Sequence, residues 1–388
     1  MSTGAASLEL RDVVKRYPGA DENAVDERSL EVPAVQICVL VGPSGCGKTT
    51  AMRMVNRMID ITSGDILLDG RSVTDRKAAD LRRDIGYVIQ QIGLFPHRTI
   101  ADNIATVPRL LGWDKQRVSE RIDELLDLIG LGSEMRERYP AQLSGGQRQR
   151  VGVARALAAD PPLMLMDEPF GAIDPINRER LQNEFLRLQA ELRKTIVFVT
   201  HDIDEAIKMG DRIAVLRKGG TLAQYASPAE LLMFPADPFV EDFVGADRAL
   251  KRLALQRVRD IDLWKGATCR VGEESSAVRA RLAEADLEFP LLVDDQGRPK
   301  GWLSQRGLSG ERVREDLRSR AEPVLDLDDI LRDALSDLLA TETMYGPVVD
   351  AKGMVCGVLS LQAISNALNI APKDVPSSAE LAAGALSQ

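Results

Sequence analysis

The stretch Gly42–Thr49, which reads GPSGCGKT, matches the phosphate-loop pattern GxxxxGK[ST]. It directly follows the apolar, β-branched run Ile37–Val41, and apolar residues then recur at helical spacing between positions 52 and 59. Glycines suit such a loop because backbone N–H groups must come close to phosphate oxygens, and the helix N-terminus adds a favourable dipole. Here Lys48 would neutralise the β- and γ-phosphates, and the hydroxyl of Thr49 would ligate Mg²⁺. The stretch therefore predicts a strand–loop–helix unit that binds a nucleoside triphosphate.

A second motif lies further along the chain at Leu163–Glu168, which reads LMLMDE and predicts a buried strand ending in two carboxylates. Asp167, at the end of the strand, can hold Mg²⁺ directly or through water. Glu168, one residue later, can polarise an attacking water as a general base. Taken alone, the motif is equally compatible with a strand that runs into an acidic turn. Together with the phosphate loop, it favours nucleotide hydrolysis.

Composition sets the broad class of the protein. The chain has 388 residues, enough for two or three domains of about 100–200 residues each. Hydrophobic residues make up 44% and charged residues 28%, a balance that is typical of soluble globular proteins and excludes wholesale disorder. The four cysteines have no CxxC spacing, so neither a disulfide framework nor a zinc site is predicted.

The charge and the apolar runs bear on where the protein works. The formal net charge of −9 gives no general attraction to nucleic acid, so no nucleic-acid partner is predicted. No apolar run approaches the ~18 residues that a membrane-spanning helix requires. The N-terminal stretch contains no basic segment followed by an apolar one, so no signal peptide is predicted. We expect a cytoplasmic protein.

The chain divides into two regions of different texture. Up to about Gly245, short β-branched runs alternate with helical stretches, which favours an α/β domain with a largely parallel sheet. The runs are apolar throughout, as strands buried on both faces should be. They are Ile37–Val41, Ile85–Ile89, Leu163–Met166, Ile196–Thr200 and Ile213–Leu216.

The C-terminal region contains an internal repeat, in which Phe289–Ser304 aligns without gaps on Tyr345–Ser360. Each copy reads as a strand, an Asp/Gly turn and a second strand, so a tandem pair of hairpins is predicted. The last stretch, 371–388, is rich in Pro, Ser and Ala and is predicted to be a flexible tail. The paired anchors of the repeat are Val293/Val349, Asp294/Asp350, Gly297/Gly353, Gly301/Gly357 and Ser304/Ser360.

A rarer pattern lies between the phosphate loop and the acidic strand. Leu143–Gln147 reads LSGGQ and resembles the signature of ATP-binding-cassette (ABC) ATPases. The resemblance implies an α/β fold in which a P-loop ABC ATPase domain with a helical signature subdomain occupies residues 1–246. A linker at 247–258, a smaller α/β tandem CBS-like module at 259–370 and the tail at 371–388 would follow it.

Further cassette elements follow in the family order. Tyr17 resembles the aromatic residue that stacks on adenine, although an aromatic before Pro-Gly is also common in surface turns. Gln90 resembles the Q-loop glutamine near Mg²⁺ and the attacking water, with the adjacent Gln91 as the alternative. Gly171–Asp174 resembles the D-loop, and His201 resembles the switch histidine.

The resemblance thereby implies a full set of site residues. It assigns catalysis to Lys48, Gln90, Glu168 and His201. It assigns Mg²⁺ to Thr49, Gln90 and Asp167. It assigns ATP contacts to Tyr17, Gly42, Pro43, Ser44, Gly45, Cys46, Gly47, Lys48, Thr49, Thr50, Ser144, Gly145, Gly146, Gln147 and Asp174.

The family also implies an assembly. Two copies pack head to tail, so that Ser144 and Gly146 of one contact the γ-phosphate held by the other, which gives a homodimer with two composite ATP sites. Separate transmembrane permease subunits would carry the solute, and a substrate-binding protein would act indirectly through them. The segment from Gln90 to about Ile104 would transmit motion to the permeases, and His97 is left as structural or permease-facing. The protein would lie peripherally on the inner face of the membrane.

Residues 86–113 are similar to importers of osmoprotectants such as glycine betaine, carnitine, choline or proline, and the repeat resembles the CBS pair that those ATPases carry. The usual ribose-binding carboxylates are replaced, since Gly307 follows Ser304 and Ala363 follows Ser360 at that spacing. The pair is therefore interpreted as a dimerising or sensing module, or as a structural addition. The alternative functions are an importer ATPase for another small solute and a non-transport ABC ATPase.

Overall fold

The structure, a computed structural model, describes residues 4–89, 93–171, 173–265, 268–284, 289–341 and 344–369. The chain divides into two compact units between Gly245 and Ala246. None of the helices in the described ranges has both the length and the apolar sequence that a bilayer span requires. Gln90, Gln91 and the tail at 371–388 lie outside the described residues.

The first unit combines strands and helices along its whole length. Its described strands are, in chain order, β1 Leu8–Lys15, β2 Val25–Val32, β3 Ile37–Val41, β4 Ser63–Leu68, β5 Arg71–Ser72, β6 Ile85–Val88, β7 Leu163–Asp167, β8 Thr195–Val199, β9 Arg212–Leu216 and β10 Leu222–Ala226. Its described α-helices are α1 Lys48–Val55, α2 Ala78–Arg83, α3 Ile100–Ile104, α4 Thr106–Leu110, α5 Lys115–Leu128, α6 Gly145–Leu157, α7 Pro175–Leu192, α8 Ile203–Met209, α9 Pro228–Met233 and α10 Pro238–Val244. Single 3₁₀ turns occupy Val73–Asp75, Ser133–Met135 and Pro140–Gln142.

The main sheet has the order β10-β9-β3-β8-β7-β6, and each pair in it is parallel except β10 with β9. Strands β3, β7 and β8 are buried along their whole length, which explains their continuous apolar sequence. The expected α/β fold with a largely parallel sheet is confirmed. In register, Val199 lies opposite both Leu40 and Asp167, so the loops after these three strands leave the same edge of the sheet.

A second, antiparallel sheet with the order β2-β1-β4-β5 was not foreseen from the sequence. Helix α1 shares one apolar cluster with both sheets, through Met52, Met54 and Val55. Met52 and Met54 are almost fully buried, and each such side chain contributes about 1.5–3 kcal/mol through the apolar surface it removes from water. This packing fixes the helix that follows the phosphate loop.

Helices α3 to α6 lie in the chain between β6 and β7 and form the helical part of the unit. Helix α5 buries one face, with Val118, Ile122, Leu125 and Leu126, at the spacing of an amphipathic helix. Helix α6 packs against α3, α5 and strand β6. The N-terminus of α6, where the LSGGQ motif lies, is thus carried on a packed helix.

The second unit contains the repeat. Its described strands are β11 Thr268–Cys269, β12 Leu291–Val293, β13 Pro299–Leu303, β14 Leu317–Arg320, β15 Leu325–Asp326, β16 Tyr345–Val349 and β17 Val355–Ser360. Its described α-helices are α11 Arg248–Leu253, α12 Ser275–Glu284, α13 Leu331–Ala340 and α14 Leu361–Asn369. Single 3₁₀ turns occupy Val258–Asp260 and Gln305–Leu308. The described sheets have the orders β11-β12-β13-β14 and β15-β16-β17.

Both repeat copies form the expected antiparallel hairpins, β12–β13 and β16–β17. Their turns use the same chemistry. Asp294 Oδ1 accepts the N–H groups of Gln296 and Arg298 at 2.9 and 2.8 Å. Asp350 Oδ1 accepts those of Lys352 and Met354, both at 2.9 Å.

The two copies also contact each other. The N–H of Val355, in the second copy, donates to the carbonyl of Gly297 in the first turn at 2.9 Å. The rings of Trp302 and Tyr345 meet edge to face, with centroids 4.8 Å apart. The repeat is therefore one packed module.

The stretch 247–258, which the sequence suggested as a linker, holds helix α11 and contributes Leu253 and Val258 to the apolar cluster of the second unit. Both side chains are fully buried. These residues are therefore packed into the second unit.

Candidate functional site

The phosphate loop connects β3 to α1, and two of its glycines occupy positions where a side chain would collide with the backbone. Gly47 has φ 83° and precedes the first residue of α1, and a Cβ on it would lie 2.1 Å from the carbonyl oxygen of Ala24. A Cβ on Gly42 would lie 2.3 Å from the carbonyl oxygen of Leu216. Real Cβ atoms do not approach backbone so closely, so the path of the loop requires glycine at both positions.

Lys48 turns its ammonium group back into this loop. Its Nζ donates to the carbonyl of Gly42 at 2.6 Å and to that of Pro43 at 3.1 Å, and it lies 3.6 Å from Cys46 Sγ. The residue is only 8% exposed, so its positive charge is held in place by the loop carbonyls. Within the loop, Cys46 is buried, whereas Ser44 and Gly45 are exposed.

The hydroxyl of Thr49 and the carboxylate of Asp167 meet close to Lys48. The Thr49 hydroxyl donates to Asp167 Oδ1 at 3.2 Å, which joins the first turn of α1 to the end of β7. Burial raises the pKa of the Asp167 carboxyl, the negative Glu168 acts in the same direction, and the Thr49 hydrogen bond lowers it. Hydroxyl and carboxylate oxygens are suitable ligands for Mg²⁺, so Thr49 and Asp167 fit that ion. Elsewhere, the described residues contain no cluster of three His, Cys, Asp or Glu side chains suited to a metal.

Glu168 and His201 form the next pair along this edge. Glu168 Oε1 lies 3.2 Å from His201 Nδ1, and the side chains are 22% and 61% exposed. Glu168 has φ 46°, an uncommon conformation for a residue with a side chain, and its N–H donates to the carbonyl of Val199 at 2.9 Å. The parallel pairing of β7 and β8 brings these two residues together. A carboxylate beside an imidazole, in the loops that follow buried strands, can take part in proton transfer.

The LSGGQ motif lies at the N-terminus of α6. Ser144 is the N-cap, and its hydroxyl accepts the N–H of Gln147 at 3.2 Å. In return, Gln147 Oε1 accepts the N–H of Ser144 at 2.9 Å, which completes a capping box. Ser144 and Gly145 are exposed, and Gly146 and Gln147 are half-buried. In the described chain the polar groups of Ser144 and Gln147 are thus bonded to each other.

The remaining predicted positions lie at the margin of the site. Tyr17 follows β1, is 40% exposed, and has Lys15 Nζ 5.2 Å from its ring centroid. Thr50 is half-buried in the first turn of α1. Asp174 is exposed and accepts the N–H of Arg178 on its carbonyl at 2.9 Å. Gln90 lies outside the described residues.

The sequence patterns did not identify Glu205, a buried carboxylate that follows His201 in the chain. Glu205, in α8, is 7% exposed, accepts Gln182 Nε2 at 2.9 Å and is hydrogen-bonded to Thr200. Burial raises its pKa, and both hydrogen bonds lower it. An acidic residue in the first turn of a helix is ordinarily explained by the helix dipole. For that reason, nothing in the pattern distinguished Glu205.

Comparison with known proteins shows the family of this chain. The family model of the ABC transporter matches residues 25–171. The osmoprotectant import ATP-binding protein OsmV of Salmonella typhimurium is 46% identical, over 93% of this chain and 96% of that protein. The glycine betaine/carnitine/choline transport ATP-binding protein OpuCA of Bacillus subtilis is 44% identical, over 91% and 94%. The resemblance to osmoprotectant importers is thereby confirmed.

Solved structures agree with this result. The dimeric, post-hydrolysis structure of the ATP-binding cassette MJ0796, bound to ADP and Pi, is 33% identical with a TM-score of 0.51. It is matched over 57% of this chain and 98% of that one. The cbiO1 structure from Clostridium perfringens, at 22% identity and a TM-score of 0.56, shares the fold over 64% of this chain and 94% of that one. The chain belongs to the ATP-binding proteins of the ABC transporter family.

Proposed function

We propose that this chain is the ATP-hydrolysing subunit that energises membrane import of quaternary-amine compatible solutes, the class of glycine betaine, choline and carnitine, or of the related solute proline. The observation that carries the ATPase is the grouping of Lys48, the Thr49–Asp167 pair and the Glu168–His201 pair at one edge of the parallel sheet. The names of the relatives, similar over nearly the whole chain, carry the solute class.

Electrostatic attraction between the phosphates of ATP and the phosphate loop drives nucleotide binding. The loop N–H groups and the α1 N-terminus receive the phosphate oxygens, and Lys48 leaves its carbonyl partners to neutralise the β- and γ-phosphates. Thr49 and Asp167 would hold Mg²⁺, which would supply positive charge that stabilises the phosphate oxygens during hydrolysis. Gln90 joins this role by resemblance, and Tyr17, whose ring is exposed beyond β1, stacks on adenine.

Hydrolysis is assigned to the second pair. Glu168 accepts a proton from water while the water oxygen forms a bond to the γ-phosphorus and the bond to the β,γ-bridging oxygen breaks, which yields ADP and phosphate. His201, 3.2 Å from Glu168, orients that carboxylate and faces the γ-phosphate. Positioning of this kind accounts for most of the catalysis in phosphoryl transfer.

The site is completed by a second copy. The exposed N-terminus of α6, capped by Ser144, offers N–H groups to an anion. A head-to-tail homodimer brings it to the γ-phosphate of the partner, with Gly145, Gly146 and Asp174 at the same contact. The similar cassette MJ0796 is dimeric in its solved structure, which supports this assembly.

Mixing two inactive variants tests this composite site. Lys48→Ala removes the charge at the phosphate loop, and Ser144→Arg blocks the signature, so each variant alone should be inactive. Mixed dimers contain one site in which both defects coincide and one intact site. With random pairing, the mixture should regain up to about a quarter of the wild-type rate of phosphate release.

A matched control separates the signature from simple loss of a helix cap. Ser227 caps α9 in the same type of capping box, with Glu230. Ser227→Arg should lose about 1 kcal/mol of stability and keep its hydrolysis rate. Failure of the Lys48→Ala and Ser144→Arg mixture to regain activity, with dimers present, would contradict the composite site.

Transport requires further subunits. Permease subunits carry the solute and a substrate-binding protein delivers it, which the importer names of the relatives support. The chain then lies on the inner face of the membrane, and the segment from Gln90 to about Ile104 transmits motion to the permeases. Uptake of labelled solute into vesicles that hold the chain with its permeases tests the proposal.

The second unit is proposed to be a regulatory tandem CBS module spanning 259–370. In its hairpins, Ser304 Oγ accepts the N–H of Gly307 at 3.2 Å and Ser360 Oγ that of Ala363 at 3.0 Å. Both hydroxyls therefore cap the turns that follow, where the ribose-binding carboxylates are replaced. The engaged hydroxyls and the replaced carboxylates argue against adenosine bound in the usual mode. We therefore propose a sensing or dimerising role for the module.

A further inference from the structure

Helices α7 and α8 are joined by two polar contacts. Gln182 Nε2 donates to Glu205 Oε1 at 2.9 Å, and both side chains are buried. One turn earlier on α7, Arg178 Nη1 lies 3.9 Å from Asp202 Oδ2. Arg178 and Gln182 are four residues apart, so they share one face of α7. That face meets the start of α8, which follows His201 directly.

The buried carboxylate also holds the residue before the histidine. The Thr200 side chain is hydrogen-bonded to Glu205, and Thr200 Oγ1 accepts the N–H of Asp202 at 3.1 Å. The Thr200 N–H donates to the carbonyl of Leu40 at 3.2 Å, two residues before the phosphate loop. The backbone on both sides of His201 is thus tied to this network.

The other end of the network reaches the D-loop. Arg178 Nη2 donates to the carbonyl of Ile173 at 3.0 Å, and the Arg178 N–H donates to the carbonyl of Asp174 at 2.9 Å. Helix α7 therefore starts from the residues that would face the partner copy and bonds to the residues on both sides of His201. Movement at Asp174 would be transmitted to the histidine.

Burying the carboxylate of Glu205 costs free energy that burying an apolar side chain would not cost. Taking an ionised group out of water is unfavourable unless hydrogen bonds replace the water. Glu205 is compensated by the Gln182 hydrogen bond and by the interacting Thr200 hydroxyl, which come from different elements and fix where α8 and Thr200 lie relative to α7. Such bonds specify geometry more than they add stability.

We propose that Gln182 and Glu205 are positioning residues for hydrolysis, which hold His201 beside Glu168 and couple it to the D-loop through α7. The inference rests on the proposed ATPase. It predicts that the pair acts on turnover with little effect on nucleotide binding, because Lys48, Thr49 and Asp167 lie outside the network.

Exchanging the two side chains tests the pair directly. Gln182→Glu places a second carboxylate against Glu205 and should lower kcat of the full chain about tenfold, with KM for ATP changed less than about threefold. Adding Glu205→Gln recreates an amide–carboxylate bond in the opposite direction and leaves an oxygen for the Thr200 hydroxyl. The double variant should therefore recover to within about threefold of the wild-type kcat.

Gln189 provides the matched control on the same helix. It is equally buried, and its Nε2 donates to the carbonyls of Lys194 and Val35, away from α8. Gln189→Glu also buries a carboxylate on α7 and should lower the melting temperature without lowering kcat. If Gln182→Glu does not fold, Thr200→Val, which removes only the hydroxyl, should lower kcat several-fold at unchanged KM.

The outcomes separate the two proposals. A wild-type chain that hydrolyses no ATP overturns the ATPase and the inference with it. A wild-type chain that does hydrolyse ATP leaves three results that overturn the inference alone: kcat unchanged in Gln182→Glu or, where that variant does not fold, in Thr200→Val; no recovery in the double variant; or an equal loss of kcat in Gln189→Glu.

Discussion

A Glu168→Gln chain should bind ATP as the wild type does and lose nearly all hydrolysis. The amide has the size and shape of the carboxylate but cannot accept the proton of the attacking water, so kcat should fall by about 10²–10⁴. The contacts of Lys48 and the Thr49–Asp167 pair do not involve this carboxylate and should persist. Phosphate release measures the loss, and titration with a fluorescent ATP analogue measures the retained binding.

The same variant should accumulate as a closed dimer in ATP, because hydrolysis is the step that reopens it. Gel filtration with and without ATP follows this change. Glu179→Gln is the matched control, since Glu179 lies exposed on α7, 3.6 Å from Lys208, and should leave kcat unchanged. Hydrolysis by Glu168→Gln within tenfold of the wild-type rate would contradict its role as the general base.

A Lys48→Ala chain should fail at the earlier step and lose ATP affinity. The ammonium group is buried in the loop and is the charge nearest to where the β- and γ-phosphates are expected. A charge-assisted hydrogen bond contributes about 1.5–3 kcal/mol, so affinity should fall roughly 10- to 100-fold. Equilibrium titration with the ATP analogue measures it directly.

Lys300→Ala serves as the control for removal of one lysine charge. Lys300 lies in the second unit and pairs with Glu315 at 3.3 Å, so its loss should leave ATP affinity unchanged. Undiminished ATP affinity in the Lys48→Ala chain would show that the loop does not hold the phosphates as proposed.

The sequence predicted the main sheet and missed the second sheet, for a physical reason. Strands β3, β7 and β8 are buried on both faces, so their apolar runs are unmistakable. Strand β1 reads LELRDVVK, with charges between its buried positions and irregular register against β2, and its partner β4 is distant in the chain. Such pairing depends on long-range contacts that local patterns do not record.

The same distinction applies to the site. The phosphate loop, Asp167 and Glu168 are contiguous motifs whose chemistry can be inferred from neighbouring residues. The Gln182–Glu205 pair exists only because α7 and α8 approach each other in the fold, and neither residue has a motif. Leu253 and Val258 show the same effect, since the stretch 247–258, which the sequence suggested as a linker, contributes both to the core of the second unit.

ATP-driven uptake of labelled glycine betaine, in vesicles that hold this chain and its permease subunits, tests whether the chain energises import of this solute. We predict uptake that requires ATP, is absent with Glu168→Gln, and rises with ionic strength. A chain truncated after Gly245, where the first unit ends, should retain uptake and lose the salt response. ATP hydrolysis with no betaine uptake at any ionic strength would contradict the proposed solute.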